Sequence, residues 1–503
     1  MGTHDLTRRS FLKTAAAGGF GLASGLLPGA SLAREVPLKD GSLEVSLQLL
    51  NLWGKKPEKV NALFSAIYNA LATSPAADFR TVSQNEEVRR LCGELGIVHL
   101  GGPMLGCLQK DGASVWVRTL QPAEVTVVAT VNGAEKTYGP VKTSHETDLT
   151  AVVKVNGLPA GTSTPYKVLV DGREIPVPRN AAITTCAMGG DALTRITFGT
   201  CQHRWGLGNE RQTGTILGRK PHAMLMYGDI AVQDRMTDFG MHRADYALRD
   251  FHPAWRDLVA AVPVYASWDD HDYLDNDKWG CPPGGDEQAH LGLRKVFSQA
   301  WNNPYYGLGD SGGGIFQHTR IGPCDIIMTD NRYFRTATGK HCFLGPEQMA
   351  WLKKTLRACR GPFIIMSCGT MWSDYVSGGK DSWGKFDPEG REEIFRLIEE
   401  EKISGVLLIS GDRHGARGFT IPRPSGFKFY EFEPASLGGR HGPPPTNPRW
   451  QTQLFGITST YAFGEFTFDL SKTDPEVTFR LVHSEENRII HELTLKRSQL
   501  TPA

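Results

Sequence analysis

Five short clusters of metal-binding and acid–base side chains punctuate this chain, each directly after an apolar run of β character. They are Thr200-Cys201-Gln202-His203 after RITFG, Gly228-Asp229 after HAMLMY, Asp269-Asp270-His271-Asp272 after VPVYASW, Asp330-Asn331-Arg332 after DIIMT, and Gly411-Asp412-Arg413-His414 after GVLLIS. The chemistry of these residue types is metal-assisted hydrolysis. In the third cluster three carboxylates surround one imidazole, so like-charge repulsion needs compensation, which a bound cation supplies. His271 could ligate or pass a proton to a leaving group, and a solvated acidic turn is the plain alternative. Asp412 and His414, two apart in an extended segment, would point the same way and could share a metal pair, or form a structural Asp–His pair. Cys201 and His203 have the same spacing; a thiolate favours iron or zinc over magnesium, whereas an inert buried cysteine is the common fate. Gly228-Asp229 alone reads as a turn. Arg332 and Arg335 offer planar forks suited to phosphate oxygens, with salt bridging as the alternative.

Strands must position these groups. In open α/β sheets the loops leaving the carboxyl ends of strands converge on one crevice, so clusters far apart in sequence can meet there. From Thr194 the chain alternates strand with loop or helix, the helical candidates including GPEQMAWLKKTLRAC and PEGREEIFRLIEEEK. TYAFGEFTFDL, EVTFRLVHS and RIIHELTLKR return to β character and are expected as extra strands packed on this large domain, residues 191–503. Residues 34–100 read as a mainly helical extension, from the amphipathic patterns in VNALFSAIYNALA and NEEVRRLCGEL. Residues 101–190 carry alternating runs, ASVWVRTL, EVTVVATV, TAVVKVNGL and PYKVLVDG, expected as a small β-sandwich ending near Met188-Gly189-Gly190.

Residues 1–33 form the exception to an ordinary globular composition. Arg8 and Arg9 open RRSFLK, a mildly apolar Gly/Ala-rich stretch follows, and small residues flank Leu32. This reads as a twin-arginine export signal cut after Ala33, with the export machinery as a partner and the periplasm or exterior as the destination. Gly18, Gly19, Gly21, Gly25 and Pro28 make the stretch a poor membrane span, and no later stretch is apolar enough for one. Of 55 Lys and Arg and 54 Asp and Glu, the signal holds three basic groups and one acidic group, leaving 52 against 53. That balance indicates no nucleic-acid-binding surface. Nine cysteines in 503 residues are too sparse for a disulfide framework.

Together these residues resemble the alkaline phosphatase D (PhoD-like) family of the calcineurin-like metallophosphatase superfamily. The likeness runs through the signal, GASVWVRT, FGTCQH, YGDI, SWDDHDYLDND, TDNRYFR, SCGTMWSDY, DSWGKF, ISGDRHGARGF and FYEFEPASLGG, in the family's order. It implies an α/β fold, a metallophosphatase-type sandwich of two β-sheets flanked by helices, preceded by a small all-β sandwich of immunoglobulin or fibronectin type. It also implies phosphoester hydrolysis at a metal cluster. Carried over by position, Cys201 stands at the superfamily's first aspartate ligand and His203 at the histidine of its Asp-x-His motif. Asp229 would bridge two metals, Asp270 would be a ligand, and His271 the leaving-group acid. Asp412 and His414 replace the terminal Gly-His-x-His pair. Relatives commonly carry tyrosine three residues after the bridging aspartate, where this chain has Val232, which puts a purple tyrosinate–iron site in doubt. The resemblance favours iron and calcium, with zinc or manganese left open.

The mechanism expected is in-line attack on phosphorus by hydroxide generated on two or more cations, held by Cys201, Asp229, Asp270, Asp412 and His414. His271 would protonate the leaving alkoxide, and Arg332, with Arg335 at the same edge, would bind substrate oxygens. The substrate would be a phosphoester small molecule or polymer. Two alternatives stand beside this reading: a phosphodiesterase acting on lipid headgroups or wall polymers, and a non-catalytic binding or structural protein that merely holds metal.

Overall fold

Helices form first along the chain because apolar residues recur at three- and four-residue spacing. In Glu58–Leu71 the buried face includes Leu63, Phe64, Ile67 and Leu71. Helix Glu86–Leu95 starts where the Asn85 side chain accepts from Val88 N, and stops at Gly96, whose φ of 66° suits glycine. The computed structural model describes residues 41–503 except 188–192, 283, 286, 311, 376–381 and 444. The expected export signal, and the expected end of the β-sandwich at 188–190, lie outside the described residues. Among those described, no helix is long and apolar enough to cross a membrane, and none of the nine cysteines is bonded to another.

Next come two small antiparallel sheets. One has the order β1-β2-β5 (His99–Gln109, Gly112–Thr119, Thr150–Val155). The other has the order β4-β3-β6-β7 (Ala134–Lys142, Glu124–Val131, Ser163–Val170, Arg173–Glu174), with β8 (Ala182–Thr184) against β6.

The large domain has two bigger sheets. A six-stranded sheet is ordered β11-β10-β9-β19-β20-β21, built from Val264–Ser267, Ala223–Tyr227, Thr194–Gly199, Ala462–Asp469, Glu476–His483 and Ile489–Lys496. A seven-stranded sheet is ordered β12-β13-β14-β15-β17-β16-β18, built from Gln317–Ile321, Cys324–Met328, Phe363–Ser367, Val406–Ile409, Lys428–Pro434, Ala416–Pro422 and Gln453–Ile457. Side chains alternate across each strand, and in the short parallel strands β10, β11, β13, β14 and β15 every residue is buried, so these strands are covered on both faces. Leu225 and Tyr227 of β10 share one core with Ile365 of β14 and Leu407 of β15, between the sheets. Met224 and Met226 instead meet Leu258 and Phe297 on the outer side. Ile364, Met366, Val406 and Leu408 meet Leu352 and Ile394 on the opposite one. The C-terminal strands join the first sheet by pairing: β19 lies antiparallel beside β9, and β20 and β21 continue the sheet to its edge.

The core between the large sheets continues without a break into the all-β domain. The junction is also polar: Tyr166 Oη donates to Ala260 O at 2.9 Å, and Asn302 Nδ2 donates to Met104 O at 3.0 Å. Asp148 ties three layers. Its carboxylate pairs with Arg118 at 3.1 Å and with Arg243 at 3.1 Å, and accepts from Phe79 N at 2.9 Å. Burial opposes ionisation of Asp148, but Arg243 and Arg118 outweigh it and hold the carboxyl below its ordinary range. Its contribution is therefore present above the ordinary carboxylate pKa and is lost as pH falls through the lowered value. Asp148→Ala is expected to cost about 3–5 kcal/mol in urea unfolding, because two guanidinium groups are left buried without their partner.

Candidate metal centre

Strands β9, β10 and β11 run parallel, as do β13, β14, β15 and β17. The clusters therefore leave the same ends of the two sheets. The backbone turns sharply there: φ is 54° at Cys201, 51° at His203, 57° at Asp229, 70° at Asp412 and 58° at His414. Left-handed conformations at non-glycine residues are costly and persist where the surroundings impose them. The loops also crowd one another. A Cβ on Gly228, whose φ is 118°, would lie 2.4 Å from Asp269 Cβ, so only glycine lets the β10 and β11 loops approach.

Three adjoining donor sets result, with ligand atoms within 4.8 Å of one another in each: Cys201, His203, Asp229 and His414; Asp229, Asp270 and His271; Asp269, Asp270 and Asp412. Asp229 belongs to the first two and Asp270 to the last two. The segment holding Asp412 and His414 is left-handed rather than extended, and these two side chains join different sets. Two-residue spacing keeps side chains together only in extended backbone, which explains the departure.

The donor chemistry fits cations. His203 Nδ1 lies 2.7 Å from Gln233 Oε1, which assigns the ring proton to Nδ1. His203 Nε2 is then a lone pair, buried with no hydrogen-bond partner among the described residues, and Asp229 Oδ1 and Asp269 Oδ2 are equally unmatched. Burial pushes the Asp229 carboxyl well above its ordinary pKa, and Asp270, Asp269 and Asp272 add to this while His271 opposes it. Burial likewise raises the Cys201 thiol, with Asp229 contributing. Burial lowers His203 to about 3 and His414 well below its usual value, so both rings are neutral and able to ligate. Packing carboxylates and a thiol beside neutral imidazoles is unfavourable without a cation and favourable with one.

His271 differs from the other two histidines. Burial works against its charge, yet Asp270, Asp229 and Asp234 outweigh burial and raise its pKa well above the ordinary value. Its Nδ1 is 2.6 Å from Asp234 Oδ1. Gln233 Nε2 donates to Asp234 Oδ2 at 3.2 Å, so the Gln233 amide and the Asp234 carboxylate together link the His203 and His271 rings. Sequence reasoning missed Gln233 and Asp234. Their position directly after GDIAV, in the loop of Asp229, was the available signal. Gln233→Leu is expected to cost roughly 10–100-fold in metal affinity, as for other partners that orient a ligating histidine, measured by competition with a chelator.

The remaining acidic residues act inside the protein. Asp272 accepts from Ile230 N, Ala231 N and Val232 N at 3.1 to 3.2 Å, clamping one loop to the other. Asp330 accepts from Trp268 Nε1 at 2.7 Å and from Ile315 N at 2.9 Å. Val232, at the position where relatives commonly have tyrosine, is buried in the apolar core beside β10.

The two arginines are not where a substrate clamp needs them. Arg332 is fully buried; its Nε donates to Asp269, and its Nη2 lies 3.8 Å from Asp270. Arg335 is buried with its guanidinium 3.8 Å from the centre of the Phe386 ring and 4.9 Å from that of Phe343. Sequence spacing brings both to one edge, but the carboxylates and the aromatic rings turn them inward. Arg413 and the exposed Arg440 instead lie in electrostatic range of His414. A Cβ on Gly439 would meet His203 Cδ2 at 2.4 Å, so the Arg440 loop rests directly on the donor set. A cavity of about 610 Å³ between the all-β and large domains, lined by Lys110, Arg320 and Pro362 among others, is remote from this chemistry. Donor geometry, not volume, therefore locates the site.

Comparison with known proteins gives two family matches. The model of the PhoD-like phosphatase family covers residues 218–469, and that of a domain of unknown function, DUF7800, covers residues 98–187. Cys201 and His203 precede the first match. No curated protein matches the chain. A solved structure described as "Structure of PhoD" aligns at TM-score 0.64 and 14% identity, over 80% of this chain and 91% of that one, which shows a shared fold. The crystal structure of TT1561 of Thermus thermophilus aligns at TM-score 0.25 and 12% identity, over 60% of this chain and 99% of that one, too low for any argument.

Proposed function

The chain belongs to the PhoD-like phosphatase family, and from that premise we propose that it hydrolyses phosphoesters at a multinuclear metal centre. The observation that carries this is the run of three donor sets sharing Asp229 and Asp270, with His271 at the junction. Cys201, His203, Asp229 and His414 would hold one cation, and Asp270, Asp269 and Asp412 would extend the centre. The mixed thiolate, imidazole and carboxylate set suits iron or zinc on the cysteine side, and the carboxylate set suits calcium or manganese. When bound, such cations supply Lewis acidity that activates water and offsets phosphate charge.

The chain's own residues do the rest. Asp234 orients His271 through Nδ1 and keeps a proton on the ring, available for the departing alkoxide. Arg332 positions Asp269 and Asp270 by pairing with them, a role its burial favours over contact with substrate. Arg413 and Arg440 form the cationic rim for the phosphate. Arg440→Gln is expected to raise KM for a dianionic monoester by about tenfold, and less for a monoanionic diester, since one charge-assisted hydrogen bond is lost.

The test is elemental analysis of the purified protein alongside hydrolysis of an aryl phosphomonoester and the matching diester. Stoichiometric metal with turnover supports the proposal, and the ratio of the two rates assigns the ester class. Metal without turnover on either ester would overturn it in favour of a metal-holding protein. We further propose export by the twin-arginine route; Arg8→Lys with Arg9→Lys should retain the protein in the cytoplasm on fractionation. For the all-β domain, the order β1-β2-β5 against β4-β3-β6 supports an immunoglobulin- or fibronectin-like reading.

A further inference from the structure

A second set of unlike donors sits at the opposite end of the seven-stranded sheet. Asp325 lies near the start of β13, whereas Asp330 of the catalytic side follows its end, about 16 Å away along an extended chain. The ligand atoms of His318, Asp325 and Cys359 lie within 4.8 Å of one another. They come from three elements: β12, β13, and the C-terminal cap of helix Pro346–Ala358.

The arrangement is built rather than incidental. Asp325 Oδ2 accepts from Arg360 N at 2.9 Å and from Gly361 N at 2.6 Å, which fixes the carboxylate. Its other oxygen is hydrogen-bonded to His318 Nε2 at 3.1 Å, a contact that an ion bound between the two groups would replace. Asp325 is buried, while His318 and Cys359 are half-buried, leaving a fourth direction open to water. Burial, and then Asp325, push the Cys359 thiol up to about 12, with Arg360 and Arg320 opposing them only in part, so a bound cation would have to draw off its proton. With the ion bound, the Cys359 sulfur and the Asp325 carboxylate would together offset a divalent charge.

We propose that His318, Asp325 and Cys359 form a cation site separate from the catalytic centre, taking a borderline-soft divalent ion such as zinc with water as the fourth ligand. The site has a structural use. β12 is the edge strand of its sheet, and edge strands are held on one side only. An ion here would join the β12–β13 hairpin to the corner between helix Pro346–Ala358 and β14. Nothing in this step involves turnover, so it stands or falls separately from the phosphatase reading.

The test uses the full chain with its catalytic metals in place and cobalt(II) as the probe, comparing wild type with Cys359→Ser and His318→Gln. Wild type is expected to bind one more equivalent of cobalt than either variant. It should also show thiolate-to-cobalt absorption that Cys359→Ser lacks, and gain in melting temperature on cobalt addition where the variants do not. Any cobalt at Cys201 contributes equally to all three proteins, so the difference isolates this site. His318→Gln alters a half-buried ring and keeps the test open if Cys359→Ser folds poorly. Equal uptake and equal absorption in the three proteins would overturn the proposal.

Discussion

Asp229→Asn is expected to lower kcat/KM by on the order of a thousandfold or more, about 4 kcal/mol of transition-state stabilisation, because Lewis-acid chemistry contributes several kcal/mol and depends on the donor set. Asp229 is wholly buried and belongs to two of the three donor sets, so its substitution weakens both together. The same change should act oppositely on the metal-free protein. Burial and neighbouring carboxylates raise the Asp229 pKa, so at neutral pH its ionised form destabilises the fold relative to the unfolded chain. Asparagine keeps the shape and removes the charge. The metal-free variant should therefore melt higher than metal-free wild type, while metal addition stabilises it less. Elemental analysis, kinetics and thermal melts of metal-free and reconstituted protein check all three. Unchanged metal content with unchanged rate would remove Asp229 from the centre.

His271→Ala is expected to spare the metal and lower kcat by roughly a hundred- to ten-thousandfold, the range for a positioned general acid. The loss should be largest for alkyl phosphates, whose leaving groups need the proton most, and smallest for nitrophenyl phosphates. Two features support an acid here rather than another ligand: His271 is held in a charged form by Asp270, Asp229 and Asp234, and its Nδ1 is committed to Asp234. His203 and His414, by contrast, are kept neutral. A parallel loss of metal and rate would make His271 a ligand. Equal losses on alkyl and aryl esters would remove its role as acid.

What could be read from sequence was local. AMLMY, VYAS, CDIIM and VLLI are apolar on both faces, as strands covered on both sides must be, and the polar cluster after each marks its turn. Residue types at those turns also limit the chemistry, since carboxylate, imidazole and thiolate side chains that converge on one crevice suit cations. Sequence patterns do not say which strands become neighbours. The tail reads as added strands, yet β19 lies beside β9 in the middle of the six-stranded sheet, because antiparallel pairing leaves no trace in either strand's own period.

The site divides in the same way. The inventory of donors and their place at strand ends are local properties of the chain, because hydrophobic period and turn chemistry act over a few residues. Their partition came from long-range packing: Asp412 parts from His414, Gln233 and Asp234 together join His203 to His271, and Arg332 is drawn to Asp269 from sixty-three positions away. Those outcomes depend on desolvation and charge compensation, and both are set by which distant groups the packed sheets bring into contact.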